Sequence, residues 1–467
     1  MKRISSLFLL VCIVCSPSWS LAQTGPAPLA TSDLLIQLIR FDTSNPPGNE
    51  LPLARWIQAY LKKFRIDSEI VESSPGRANL VARLKGDGSE GNLLLLGHLD
   101  VVPADVKEWS HAPFAAVVEG DTLYGRGTLD MKGLVALEIA TFIRLKQEKI
   151  PLKGDVILLL TADEEAGGKA GAQFMVEKHW DKVKASYVFN EGSIGVKQEK
   201  RNLYPIQVAE KGVAWMKVTA TGASGHGSMP KPDNAVLRLL NALHRLTSHP
   251  PPIQRSAVVE EFLRRLSEAY SFPESFFLRH FFDWPIVKLA PWIAGEKIQR
   301  KKAFNAMIRN TTTPTMLQAG YKVNVIPSEA TAFIDNRILP GETPEKFYRK
   351  LTDRLDDPDV KLELVLQNPP NESDFHTPYF KRIEEAILKN DPQAIVAPYL
   401  SPGATDSRFF RAKGALCYGI IPFLVTEEEI DTVHGKNERL SLPELKRGEQ
   451  ILYDLIIALE GLPANSP

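Results

Sequence analysis

Short, unbroken apolar runs are the first regularity along the chain. Asn92-Leu93-Leu94-Leu95-Leu96-Gly97 and Val156-Ile157-Leu158-Leu159-Leu160-Thr161 show no polar alternation, the form taken by sheet strands covered on both faces. Between them, Met131 to Gln147 is apolar nearly all round, through Leu134, Val135, Leu137, Ile139, Phe142, Ile143 and Leu145. That pattern predicts a buried helix. Strand, crossover with helix, strand is an α/β unit. Both runs end in polar residues, Gly97-His98-Leu99-Asp100 and Thr161-Ala162-Asp163-Glu164-Glu165, where open α/β sheets place their active sites.

The pattern changes near Gly212. Val213 to Ala220 reads as a strand with one exposed face, Asn234 to Leu246 as an amphipathic helix, and Ala330 to Arg337 alternates like a strand. These elements do not interleave as βαβ and predict a separate α+β domain over 212–370. After Pro369-Pro370, the helical segment Tyr379 to Lys389 and the run Ala415 to Ile421 resume the first pattern. The first domain is thus expected to be discontinuous, 23–211 and 371–467, with the second inserted in it. Within the insertion, 250–303 is a helical elaboration rich in aromatics: Phe272, Phe276, Phe277, Phe281, Phe282, Trp284 and Trp292, among Pro273, Pro285 and Pro291. It reads either as a unit packing its own small core or as an apolar wall for a fatty substrate or partner.

Composition narrows the chemistry. A chain of 467 residues suggests two domains. Lys+Arg and Asp+Glu are both 56, so the balance points to neither a nucleic acid nor a membrane surface as partner. Lys2 and Arg3 precede the apolar run Leu7 to Cys15, and Ser20-Leu21-Ala22 is a small-x-small cleavage site. Residues 1–22 therefore read as a cleaved signal peptide, placing the mature protein in a periplasm or outside the cell. Val11 and Val14 precede Cys12 and Cys15, unlike the small residue before a lipoprotein cysteine. Of three Cys only Cys417 outlasts the signal, so neither an intramolecular disulfide nor a cysteine-rich zinc site is expected. Any metal must use His and carboxylates. No later apolar stretch is long enough to span a membrane.

Several residues carry chemistry. His98 and Asp100, two apart at a strand end, turn to one side, and a metal-bound imidazole needs a partner on its other nitrogen. Gly125-Arg126-Gly127-Thr128-Leu129-Asp130 delivers an Asp directly before the buried helix. As plain structure Asp130 would be an N-cap, but a cap does not need this glycine-rich approach. Glu164-Glu165 is either a solvated acidic loop or, after a buried strand, a costly pair that calls for a cation beside it. Glu191, ending Val188-Phe189-Asn190, and His434, in Val433-His434-Gly435, add a third carboxylate and a second imidazole. Together with His98, Asp130 and Glu165 they suffice for two zinc ions sharing one Asp.

These motifs resemble the co-catalytic zinc family of aminoacylase, glutamate carboxypeptidase, acetylornithine deacetylase and succinyl-diaminopimelate desuccinylase. Within it the chain is most similar to carboxypeptidase S and the secreted N-fatty-acyl-amino-acid hydrolases. The resemblance runs from about 31 to 457 through Gly97-His98-Leu99-Asp100-Val101-Val102-Pro103, Tyr124 to Asp130, Asp163-Glu164-Glu165 and Asp431-Thr432-Val433-His434-Gly435. It implies a mixed, largely parallel sheet flanked by helices, with an inserted α+β lid or dimerisation domain. It implies two Zn²⁺, replaceable in vitro by Co²⁺ or Mn²⁺. Asp130 would bridge the metals, Glu165 and His434 completing one site, His98 and Glu191 the other. Asp100 would orient His98, and Glu164 would take a proton from the attacking water and return it to the leaving amine. The Asp130-Met131 peptide would be cis.

In the inserted domain, His226 of Ser224-Gly225-His226-Gly227-Ser228 resembles the lid histidine that stabilises the oxyanion, across the subunit interface in dimeric members. Asn324 and Arg337 resemble binders of the substrate carboxylate, and Gly403 and Thr405 of Gly403-Ala404-Thr405-Asp406-Ser407-Arg408 resemble the companion loop of that pocket. The expected substrate is a small peptide or N-acyl amino acid. The expected activity is that of a carboxypeptidase or N-acyl-amino-acid amidohydrolase, with an aminopeptidase or dipeptidase as alternative. An inactive metal-binding module would lack Glu164 or a ligand, and none is missing.

Overall fold

Leu93–His98 and Val156–Thr161 are strands in which every residue is buried. The computed structural model describes residues 26–198, 200–249, 251–288 and 302–459; the signal segment, Pro291 and Trp292 lie outside them. The two strands are parallel neighbours, His98 level with Thr161, in a nine-stranded sheet. Its strands are β1 (Ser68–Ser74), β2 (Arg77–Leu84), β3 (Leu93–His98), β4 (Val156–Thr161), β5 (Tyr187–Val196), β6 (Leu203–Glu210), β7 (Asn371–Glu372), β8 (Ile395–Ser401) and β9 (Leu416–Val425). Their order is β1-β2-β4-β3-β5-β9-β6-β7, with β8 also paired to β6. The central strands β4, β3, β5 and β9 run parallel, whereas β1, β2 and the β9–β6 pairing are antiparallel. The sheet is mixed and largely parallel, as expected.

Alternate residues of β3 and β4 enter different cores, the period-two rule of a strand. Leu93, Leu95, Val156, Leu158 and Leu160 face the larger core, with residues of helices Thr31–Ile39, Leu51–Lys63, Lys132–Glu148, Pro378–Asn390 and Leu442–Leu459. Leu94, Leu96, Ile157 and Leu159 face the other way, against Met175, Val176, Val183 and Phe410. Each fully buried leucine contributes on the order of 1.5–3 kcal/mol, which is why an unbroken leucine run is stable only between two helical layers.

The second sheet has four antiparallel strands, ordered Thr311–Ala319, Glu329–Ile338, Gly212–Thr221, Val360–Asn368. Ala214, Met216, Val218 and Ala220 point into a separate core with Leu239 and Leu243 of helix Ala235–Thr247 and Phe347 and Leu351 of helix Pro344–Leu355. Trp215, on the opposite face, is 44% exposed.

Among its described residues, the aromatic segment does not build its own core. Val258, Val259, Phe262 and Leu263 of helix Ala257–Leu266, with Phe281 and Phe282, join the larger core beside the nine-stranded sheet, and Phe262 packs on Tyr399 of β8 at 5.8 Å. The amphipathic helix finds more apolar surface there than its neighbours Phe272, Phe276, Phe277 and Trp284 supply, and these stay exposed.

Among the described residues the chain therefore passes between the two sheets four times, near Lys211, 251–256, 308–310 and Pro369-Pro370. These passages touch one another. Lys211 Nζ donates to Ala306 O (3.0 Å) and Arg309 O (2.8 Å), Gln254 N donates to Ile308 O (2.9 Å), and Gly212 abuts Pro370.

Candidate metal centre and active site

The site forms where the central strands end. His98 is the last residue of β3. Leu95 is level with Phe189, which brings Glu191 of β5 beside the end of β3. After β4 the chain reverses at Asp163 (φ 70°) into a single 3₁₀ turn, Glu164–Ala166, closed by Gly167 at φ 105°. This sharp reversal turns the two glutamates back over the strand ends. Asp130 enters from the loop before helix Lys132–Glu148, and its peptide bond to Met131 is cis. His434 follows the short helix Glu427–Ile430.

Asp130 divides its oxygens between the two imidazoles. Oδ1 lies 3.1 Å from His98 Nε2, and Oδ2 lies 3.0 Å from His434 Nε2. Glu191 Oε1 is 3.6 Å from His98 Nε2, and Glu165 Oε2 is 3.2 Å from His434 Nε2. Two triads, His98-Asp130-Glu165 and His98-Glu164-Glu191, each bring one ligand atom per residue within 4.8 Å of the others.

Electrostatics decide what such a cluster needs. Burial and the neighbouring Glu191 push the Glu164 carboxyl well above its ordinary range; burial and Asp130 do the same to Glu191, and burial raises Glu165. Burial opposes charge on His98, yet Asp100 and Asp130 raise its pKa well above the usual imidazole value. Asp130 and Glu165 raise His434 to about 10. Asp130 is held low by His434 and His98 against its burial. Among the described residues no Lys or Arg lines the cavity formed by these groups, about 260 Å³ in volume. A carboxylate-rich, imidazole-containing set with no Lys or Arg in its lining fits divalent metal ions, whose charge would bring down the raised carboxyls and imidazoles and keep Asp130 ionised.

Outer residues hold the donors in place. His98 Nδ1 donates to the backbone oxygen of Asp100 at 2.9 Å, whereas the Asp100 carboxylate lies at 3.5 Å. That carboxylate instead accepts the N–H of Glu164 (3.1 Å), the N–H of Glu165 (3.1 Å) and Asn45 Nδ2 (2.8 Å). Asp163 is held by Asn45 (3.2 Å) and by Arg77 (3.0 Å), which also pairs with Glu50. Asp406 accepts from Thr161 Oγ1 at 2.9 Å, and burial pushes its carboxyl up to about 6. Sequence reasoning missed Asn45, Arg77, Asp406 and Glu438, whose buried carboxylate accepts the N–H of Asp130 at 3.1 Å. Asp406 stood in the quoted Gly403–Arg408 motif, but Asn45 and Arg77 carry no local signal.

Gly403 and Thr405 line the cavity, together with apolar Leu129, Ile194, Ile421 and Val433. The Thr405 hydroxyl donates to Glu210 at 2.6 Å. His226, Asn324 and Arg337 do not line it. His226 is exposed, its Nδ1 2.7 Å from Ser228 Oγ; its pairing with Val325 and the bond from Gly227 N to Asn324 O (2.8 Å) set Asn324 beside it. Arg337 donates to Asp335 through Nε and Nη2, at 2.9 and 3.2 Å.

Among known proteins, the N-fatty-acyl-amino acid synthase/hydrolase PM20D1 of Homo sapiens is 29% identical over 405 residues, covering 84% of this chain and 78% of the relative. The Xenopus tropicalis protein of the same name is 31% identical, covering 80% of this chain and 74% of the relative. A probable carboxypeptidase S-like protein of Dictyostelium discoideum is 28% identical, over 81% and 74%. The fold matches a metallo-carboxypeptidase of Sulfolobus solfataricus with a TM-score of 0.71 at 19% identity, covering 93% of this chain and all of the other. A dinuclear metal-binding peptidase from Bacillus subtilis matches with a TM-score of 0.57 at 16% identity, covering 92% and 99%. The family model for peptidase family M20/M25/M40 matches residues 94–458. The chain belongs to that family, and is a metal-dependent peptidase or amidohydrolase.

Proposed function

We propose that the protein is a di-zinc hydrolase that cleaves the amide bond next to a residue with a free carboxylate, in a peptide or an N-acyl amino acid. The observation that carries this reading is Asp130, with one oxygen toward His98 and the other toward His434. Glu165 and His434 would hold one ion, His98 and Glu191 the other, and Asp130 would serve both. Two such ions, when bound, activate water and polarise the scissile carbonyl.

Glu164 is the proton carrier. It lines the cavity beside Glu191 and His98, where a carboxylate can take a proton from the attacking water and return it to the leaving nitrogen. His226 stabilises the developing oxyanion, and Asn324 and Arg337 receive the substrate carboxylate. These three stand outside the cavity, so they act after the inserted domain closes or from a partner subunit in a homodimer. The names of the relatives, an N-fatty-acyl-amino acid synthase/hydrolase and a carboxypeptidase S-like protein, support the substrate class. The amino-terminal pattern supports export, and among the described residues no helix is long and apolar enough to cross a membrane.

The test is a panel of N-acyl amino acids, their carboxamides, and blocked and free dipeptides, assayed with zinc-loaded and chelated protein. Hydrolysis that needs Zn²⁺ and a free carboxylate supports the reading. Full activity of metal-free protein, or equal activity on the carboxamides, overturns it.

A further inference from the structure

We propose that Glu438 is a positioning residue that sets Asp130 and His434 against each other, and so controls how tightly the centre holds its metals. The inference rests on the metal-centre reading above.

Glu438 is fully buried and lies four residues after His434. Its carboxylate faces the loop that delivers Asp130. Oε1 accepts the backbone N–H of Leu129 (2.7 Å) and of Asp130 itself (3.1 Å). Oε2 accepts the N–H of Gly127 (3.1 Å) and Arg126 Nη1 (2.5 Å). The other arm of the same guanidinium, Nη2, donates to the oxygen of Gly435 at 2.8 Å, one residue past His434. The loop is tied further by the bond from Gly125 N to Glu438 O (2.9 Å).

One carboxylate and one guanidinium thus close a circuit from Asp130 through Glu438 and Arg126 to the His434 loop. Asp130 and His434 lie 3.0 Å apart, and a metal centre tolerates little error in that spacing. A buried helix start needs only a cap. Glu438 instead gathers three amide donors of the irregular loop, including the N–H of Asp130. An amide side chain in its place keeps the shape but turns an NH₂ group toward donors, where nothing can accept it.

The experiment compares wild type, Glu438→Gln and Arg126→Lys. Arg126→Lys keeps a charge beside Glu438 and removes the fork to Gly435. Metal-free proteins are titrated with Co²⁺, followed calorimetrically and by its visible absorption, and zinc-loaded proteins are assayed for kcat and KM. Metal-free melting temperatures are recorded in parallel. Expected for each folded variant are a Co²⁺ affinity lower by roughly 10- to 100-fold, an altered Co²⁺ spectrum and a fall in kcat with little change in KM. Unchanged Co²⁺ affinity and spectrum in the folded variants, with only a lower melting temperature, would make the circuit purely structural and overturn the proposal. If Glu438→Gln fails to fold, Arg126→Lys decides by the same readings; if neither folds, the circuit is a folding element and the proposal falls. Failure of the wild type to bind Co²⁺ would instead sink the metal-centre reading.

Discussion

Glu165 hangs from Asp100: its backbone N–H donates to Asp100 Oδ2 at 3.1 Å, so the turn carrying both glutamates is held by a side chain from the His98 segment. Asp100 therefore serves two segments at once, His98 through its backbone oxygen and the glutamate turn through its carboxylate. Asp100→Asn keeps the first contact and puts an NH₂ group against donor amides in the second. The expected result is a loss of roughly 10- to 100-fold in metal affinity or rate, with a lower melting temperature. Calorimetric metal titration and melting curves check both.

Glu164 is separable from the ligands. Glu164→Gln should bind two metal ions per chain as the wild type does, counted by elemental analysis, while kcat falls by roughly 10²-fold or more. Unchanged turnover would remove Glu164 from proton transfer.

Metal binding should release protons. His434 is raised from 6.5 to about 10, and Glu164 and Glu191 stand well above 4.5. In metal-free protein these groups hold protons that the unfolded chain gives up, so their contribution to stability is fully present below the unfolded values. It is lost as pH rises, from about 4.5 upward for the glutamates and between 6.5 and about 10 for His434. Chelated protein should melt at progressively lower temperature across that window, and zinc-loaded protein should show a much flatter profile. Calorimetry in buffers of different ionisation enthalpy would count the protons released.

His226 is exposed, and its removal should cost within about 0.5 kcal/mol of stability. If it stabilises an oxyanion, His226→Ala lowers kcat by roughly 10²- to 10³-fold. Mixing His226→Ala with Glu164→Gln protein asks whether His226 acts across a dimer: restored activity in the mixture means that it does.

The strands β3 and β4 were legible because a leucine run has one stable home, between two helical layers. Helix Lys132–Glu148 was legible for the same reason. The position of the aromatic segment was not. Which surface an amphipathic helix such as Ala257–Leu266 covers depends on the competing apolar areas, and these exist only after folding. Glu191 and His434 reach the cluster from segments more than 200 residues apart, and the residue pattern alone could offer them only as donors. Asn45, Arg77 and Glu438 act entirely through distant backbone and charged groups. Nothing in their own neighbourhood distinguishes them from solvated polar residues.

The four chain passages gathered around Lys211 have a mechanical consequence. A domain joined at one flexible linker can wander; one joined at several scattered points can hardly move. Here, among the described residues, the passages between the two bodies run through one knot, where Lys211 clasps Ala306 and Arg309 and Gln254 clasps Ile308. Sliding or lifting the smaller body would tear those bonds, but turning about them would not. For such a turn His226 and Asn324, beyond the far end of the smaller sheet, would lie on the long arm, whereas Arg337, level with Val213 beside the knot, would lie at the pivot.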